Sequence, residues 1–288
     1  MGLFITNATS MFARRFMQQA SNALDVSYKR LASGKRINSA KDDPAGMQIA
    51  HRLTSEINGL TQGNRNAQDG LSLAQTAEGA LDEVTNMLQR VRVLSLQSAN
   101  GTCSAIDRAA LNAEAKELFL EINRISSDTT FAGEHILDGS KGVVNIQVGA
   151  YAGQGIDIDL GLAFTVEGMA AKSGKQEVID AFKNGFDLTT VEASQQVLGN
   201  IDSLIEVVSG ERGRFGGIQN RLESAIRYQE NTIENLSNAR SRIEDCDYAA
   251  ECAAVVENNI KLQASMAVLS HANQQKNMIL SLLQGAFA

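Results

Sequence analysis

The segment YAAECAAVVENNIKLQASMAVLSHANQQKNMILSLLQGAF, residues 248–287, decides the fold class. Steps of four and three from Tyr248 meet Cys252, Val255, Asn259, Leu262, Met266, Leu269, Asn273, Lys276, Leu280, Leu283 and Phe287. That spacing keeps one face of an α-helix turned toward a partner. Alone in water the stripe would stay exposed, at about 1.5–3 kcal/mol for each large apolar side chain. Near the other end Phe12, Phe16, Ala20, Leu24, Tyr28 (or Ser27) and Leu31 repeat at near-heptad spacing, so the two ends are expected to pair. Asn259, Asn273 and Lys276 either fix the register of that pair or face solvent where the stripe is imperfect.

Inward from these ends, Ser39-Ala40-Lys41-Asp42-Asp43-Pro44 has the pattern of a turn and a helix start. Asp42 or Asp43 can cap, and Pro44, the sole proline, suits the first helical position. Residues 73–94, 111–125 and 191–243 keep apolar side chains every three or four positions, which predicts an antiparallel bundle. Between them the period changes. Asp138-Gly139 signals a turn, 143–148 a short strand, and Ile156-Asp157-Ile158-Asp159-Leu160 alternates every second residue, with 149–155 as the loop. Residues 166–190 are polar and weakly patterned, as a surface connection would be. The expected fold is mainly α: a long antiparallel helical bundle or coiled coil with a small β-hairpin region and paired N- and C-terminal segments. The expected domains are 1–44 with 245–288 as a terminal coiled coil, 45–165 with 191–244 as a helical bundle carrying hairpins, and 166–190 as a short variable connection.

A hydrophobic fraction of 43% with 20% charged residues belongs to a folded chain, and with no tryptophan and 5% aromatics the core must be aliphatic. The net charge of −7 argues against nucleic acid, although residues 1–44 alone carry +4. The longest apolar run, 252–256, falls far short of the ~20 residues of a membrane helix. The first twenty residues lack the apolar centre of a cleavable secretory signal, so a route out of the cell, if there is one, is expected to be another.

The chemistry of catalysis is missing. Gly210, Gly213, Gly216 and Gly217 have neither the lysine nor the preceding strand of a phosphate loop. His51, His135 and His271 are scattered. Cys246 and Cys252, six apart, would sit ~240° around one helix and could not share a metal. Cys252 on the stripe is expected to be a small core residue, and Cys103 beside Asn100-Gly101-Thr102 an exposed thiol. No enzyme, cofactor or metal is called for. Identical copies that pack head to tail through uncovered stripes, without closing, give a helical filament.

Several blocks resemble one family. Residues 31–50 (LASGKRINSAKDDPAGMQIA), 65–81 (RNAQDGLSLAQTAEGAL), Leu88-Gln89-Arg90-Val91-Arg92 and Gln97-Ser-Ala-Asn-Gly-Thr102 are similar to the N-terminal half of bacterial flagellins. Ile218-Gln-Asn-Arg-Leu222, Ser237-Asn-Ala-Arg-Ser-Arg-Ile-Glu-Asp245 and Val268-Leu-Ser-His-Ala-Asn-Gln274 with Ile279-Leu-Ser-Leu-Leu283 are similar to the C-terminal half. The resemblance implies a subunit exported by the flagellar type III apparatus and stacked into the extracellular filament that drives motility. Its termini would be disordered when free and paired in the filament core. The assembly seam would then hold Phe12, Phe16, Leu24, Leu31, Leu262, Met266, Leu269, Leu280, Leu283 and Phe287. With only 166–190 where the family's outer domains stand, a bare core filament is expected. Implied partners are further copies, an export chaperone on about 255–287, filament cap and junction proteins, and host sensors. The host Toll-like flagellin receptor would meet Gln89, Arg90, Leu94 and Glu114, and a cytosolic sensor Leu280, Leu282 and Leu283. Three cysteines are unusual for the family, which keeps a specialised minor flagellin or a hook–filament junction protein as alternatives.

Overall fold

The computed structural model describes residues 7–183 and 186–286, without the side chains of 181–183 and 276–286. Helices α1 (Ala8–Ser33), α2 (Pro44–Ser98) and α3 (Ala105–Asp128) come first. Strands β1 (Thr130–Phe131), β2 (Glu134–His135), β3 (Gly142–Gln147) and β4 (Gly155–Leu160) follow. Helices α4 (Val166–Ser173), α5 (Gln176–Lys183), α6 (Val191–Glu244) and α7 (Tyr248–Ala286) complete the order. The chain divides into two compact units, Met1–Ser55 with Glu234–Ala288 and Glu56–Ile233, so α2 and α6 contribute to both. Against expected boundaries at 44/45 and 244/245, the first unit reaches on to Ser55 and starts again at Glu234.

The second unit, Glu56–Ile233, holds an aliphatic core. Leu81, Val84, Leu88 and Val91 of α2, Ile122 of α3, and Ile201, Leu204, Val208 and Leu222 of α6 are fully buried. Polar pairs mark α2 and α6 as antiparallel here: Gln219 donates to Glu78 at 2.6 Å, and Arg212–Asp82 and Arg92–Asp202 are ion pairs at 2.8 and 2.6 Å. A capping box starts α3, with the Ser104 hydroxyl accepting from Asp107 N–H while the Asp107 carboxylate accepts from Ser104 N–H. The Ser104 hydroxyl also donates to the Asp107 carboxylate at 2.7 Å, and this bond first, then the Ser104 N–H, holds the Asp107 carboxyl below the usual range.

Strands β3 and β4 pair antiparallel from Gly142↔Leu160 to Gln147↔Gly155. The two-residue period of β4 places Ile156, Ile158 and Leu160 in the core and Asp157 and Asp159 in solvent. The tip of this hairpin rests on α2, where a side chain at Gly63 would fall on the Val148 carbonyl and one at Gly59 on Ala150. Gln229 of α6 donates to the Val148 carbonyl at 2.5 Å and Asn66 to that of Gln147 at 2.9 Å. A smaller hairpin, β1–β2, precedes β3. It turns through Ala132 (φ 51°) and Gly133 (φ 84°), the left-handed pair a two-residue hairpin loop needs.

Residues 166–190 differ from the expected surface connection. They contain α4 and α5, and Val166, Met169, Ala170, Val178 and Leu188 are buried in the core of the second unit. The Thr165 hydroxyl caps α4, Gly174 (φ 66°) ends it, and Lys175 reaches Ser203 of α6 at 2.9 Å.

In the first unit α1 packs against α7. The Asn7 side chain accepts from Ser10 N–H and donates to the Ala272 carbonyl at 2.9 Å, capping α1 and tying it to α7 at once. Both connections at the other end of the pair are bonded together. Lys35 and Asp245 form an antiparallel bridge, Cys246 N–H donates to Gly34 O at 3.0 Å, and Arg36 donates to the Ile243 carbonyl. Of the two candidate caps before Pro44, Asp43 performs the task by accepting from Gly46 N–H at 2.9 Å. Asp42 organises the preceding turn instead. Its carboxylate accepts from Asn38 N–H, Ser39 N–H and the Ser39 hydroxyl, and its pKa is lowered by those bonds, Asn38 first.

Candidate self-assembly site

The α1–α7 seam mixes small side chains with leucines and a few polar residues. Ala13, Ala20, Leu24 and Ser27 of α1 are buried, with Ser10, Met17 and Leu31 half-buried on the same 3–4 repeat. From α7 come Glu251, Val255, Asn258, Leu262, Ser265 and Leu269, all half-buried, and buried Ala272. Small residues let two helix backbones approach, and the heptad rhythm keeps them together. Of the expected seam, Leu24 is buried and Leu31, Leu262 and Leu269 are half-buried on these repeats.

The other half of the expected seam points away. Phe12 and Phe16 are 55% and 43% exposed, and Met266 is 47% exposed. Along α1 the pairing positions are Ala13, Met17, Ala20, Leu24 and Ser27, so the choice between Ser27 and Tyr28 falls to Ser27. Cys252 is exposed and is not the core residue expected of it. It lies one position beyond Glu251, the residue that faces α1 through an ion pair with Arg30 at 3.5 Å. Asn259 is half-buried, Asn273 is exposed and accepts from the Ser10 hydroxyl at 3.4 Å, and the Lys276 side chain lies outside the described residues. Phe287 lies outside them as well, as do the side chains of Leu280, Leu282 and Leu283.

An uncovered apolar surface results on both helices. On α7, Tyr248, Cys252, Val256 and Ile260 recur every fourth residue beside the seam, and Met266 and Val268 extend the surface. On α1, the Phe12 and Phe16 rings meet edge to face at 4.6 Å, with the Arg15 guanidinium 5.2 and 5.8 Å from their centres. Cys246 is half-buried at the head of α7, and desolvation followed by the Glu251 carboxylate pushes its thiol pKa up, which disfavours a reactive thiolate. Cys103 is half-buried too, its thiol donating to the Gln97 carbonyl at 3.3 Å.

The residues expected to meet a host receptor separate into two groups. Gln89 is exposed, and exposed Arg90 grips one Glu114 oxygen with Nε at 2.9 Å and a terminal nitrogen at 2.6 Å. Leu94 is 1% exposed and belongs to the core, so it has no surface to offer; Val93 and Leu96 beside it are the exposed apolar side chains. Among the described residues no cluster of histidine, cysteine and carboxylate side chains could hold a metal, and no helix is long and apolar enough to cross a membrane.

Comparison with known proteins gives this arrangement its family. The family model described as the bacterial flagellin N-terminal helical region matches residues 4–142, and that of the C-terminal helical region matches 198–283. A flagellin from Halalkalibacterium halodurans is 41% identical over 281 residues, covering 96% of this chain and 98% of its own. Polar flagellin F of Vibrio parahaemolyticus is 34% identical over 370 residues, with coverage of 96% and 98%, and so carries insertions relative to the 288 residues here. A solved flagellar hook-associated protein from Vibrio parahaemolyticus shares the fold at 18% identity and a TM-score of 0.56, covering 71% of this chain and 100% of that one. With both helical regions matched and relatives aligned along nearly their whole length, the chain belongs to the bacterial flagellins, the structural subunits of the flagellar filament.

Proposed function

We propose that copies of this flagellin join through the apolar side chains that the α1–α7 pair leaves in water. Phe12 and Phe16 on α1 and Val256, Ile260 and Met266 on α7 would form the contact between copies. Leu24, Leu31, Leu262 and Leu269 would hold the pair within each copy. Leu280, Leu283 and Phe287 continue the same seam in sequence. The observation that carries this reading is the exposure of 43–62% at those five contact residues. Burying each such side chain between copies contributes about 1.5–3 kcal/mol, enough for a few of them to drive association.

The role is structural and not catalytic. Because α4 and α5 fill the core of the second unit, the filament surface would carry no separate outer lobe. Export would run through the flagellar type III apparatus, with a chaperone on 255–287 covering the α7 stripe beforehand and cap and junction proteins meeting the filament ends. A host Toll-like receptor would read Gln89, Arg90 and Glu114, with Leu94 fixing α2 from the core side.

The test is seeded or precipitant-induced assembly of the purified chain, followed by sedimentation and electron microscopy. The full chain is expected to give smooth helical filaments. A Phe16→Ser, Met266→Ser double variant is expected to remain folded and monomeric, and deletion of 262–288 should abolish assembly while the second unit stays folded. Filaments that persist after that deletion, or an intact chain that never assembles, would overturn the proposal.

A further inference from the structure

Helix α2 ends at Ser98 and α3 starts at Ala105, and the residues between them form a tight, exposed turn. Cys103 N–H donates to Asn100 O at 3.2 Å, closing a four-residue turn with Gly101 and Thr102 at its centre. The Asn100 side chain is held inside it, its Oδ1 accepting from Thr102 N–H at 3.3 Å. Gly101 N–H meets no acceptor among the described residues. Nothing lies within 4 Å of where a Gly101 Cβ would stand. A polarised amide carbon thus neighbours an unengaged backbone nitrogen on a residue with no side chain to obstruct approach.

We propose that Asn100 is a self-modifying site, converting without an enzyme to aspartate and isoaspartate with water as the sole co-reactant. Solvent hydroxide removes the Gly101 N–H proton, and the nitrogen attacks Asn100 Cγ to form a C–N bond. The negative charge that develops on Oδ1 is met by the Thr102 N–H already directed at it. Nδ2 takes a proton from water, the Cγ–Nδ2 bond breaks and ammonia leaves, giving a five-membered succinimide. Water then adds to either ring carbonyl and opens it. One water enters, one ammonia departs, and no atom is oxidised or reduced.

The surroundings accept the product. Arg108 donates to the Ser98 carbonyl at 2.9 Å and to the Asn100 carbonyl at 3.2 Å, so its guanidinium stands beside the new carboxylate. The isoaspartyl form carries the main chain through Cγ and lengthens it by one atom, which breaks the turn bond from Cys103. The same dipeptide recurs as Asn58-Gly59 inside α2, where the Gly59 N–H is committed to the helix ladder and Gly59 abuts Ala150. That site is expected to be inert. Asn184-Gly185 lies outside the described residues.

The full-length protein is aged in warm, weakly alkaline buffer and digested with trypsin, and peptides 93–108, 53–65 and 184–212 are followed by mass spectrometry. Peptide 93–108 is expected to gain the mass of an NH2-to-OH exchange, as two isomers, at least about tenfold faster than 53–65. Gly101→Ala, for which the turn has room, is expected to slow it by about tenfold or more with unfolding behaviour unchanged. Equal rates in 93–108 and 53–65, or an undiminished rate in Gly101→Ala, would overturn the proposal.

Discussion

The two units bury different things. In Glu56–Ile233 the largest fully buried side chains include Leu81, Leu88, Ile122, Ile158, Leu160, Phe164 and Phe215, while the other unit closes its α1–α7 seam on alanine, serine and a few leucines. There the large side chains, Phe12, Phe16, Val256 and Ile260, stay in solvent. The second unit leaves Val93, Leu96, Ile106 and Leu120 in solvent too, but around a core of large, fully buried side chains. The other brings two helices together and leaves larger apolar side chains outside, which under the proposed assembly would meet another copy. On that proposal stability and assembly rest on different residues, and each should be changeable without the other.

Substitutions can break or sharpen that division. Leu81→Ala empties a fully buried site and should cost about 2–5 kcal/mol in denaturant unfolding; a smaller loss would mean the core of the second unit is loosely packed. Gly63→Ala drives a methyl group into the Val148 carbonyl and should cost about 1–3 kcal/mol, with the hairpin amides losing protection from exchange first. Gly217→Ala places a methyl in open space within α6 and should raise stability by about 0.5–1 kcal/mol. Phe12→Ser should change monomer unfolding by less than about 0.5 kcal/mol while sharply slowing filament growth by light scattering. A large stability loss there would return Phe12 to the seam.

The smallest effect concerns acid. The folded Asp107 and Asp42 carboxyls have pKa values below those of the unfolded chain, so their stabilisation is complete above the ordinary carboxylate value. It is lost as pH falls through the lower folded values. Removing the Asp107 partner with Ser104→Ala should flatten that acid limb, measured as unfolding midpoints across a pH series.

Much of this was legible because backbone periods follow side-chain chemistry. The alternation of isoleucine and aspartate in β4 and the 3–4 rhythm of α2, α3 and α6 leave few alternatives. The seam was half legible: the facing positions are Ala13, Met17, Glu251 and Ser265, each one residue from the larger or more apolar neighbour assigned to the seam, which leaves Phe12, Phe16, Cys252 and Met266 outward. Helices α4 and α5 were missed because eight residues span barely two turns, too short to display a period. For α4 its caps, Thr165 and Gly174, were the signal available. Leu94 was given both to the receptor contact and to the apolar stripe of Val84, Leu88 and Val91, and its burial agrees with the stripe.

The bond from Asn7 to the Ala272 carbonyl joins residues 265 apart in the chain, against 81 for Gln229 and Val148. By chain entropy the longer closure is harder by only about 1 kcal/mol, yet the α1–α7 pair has a small core with which to meet it. Once α2 and α6 have paired within the second unit, the chain still to be closed is little more than 7–55 and 234–272. The α1–α7 pair is therefore expected to open while the rest of the molecule stays folded, seen as earlier loss of its amide protection from exchange.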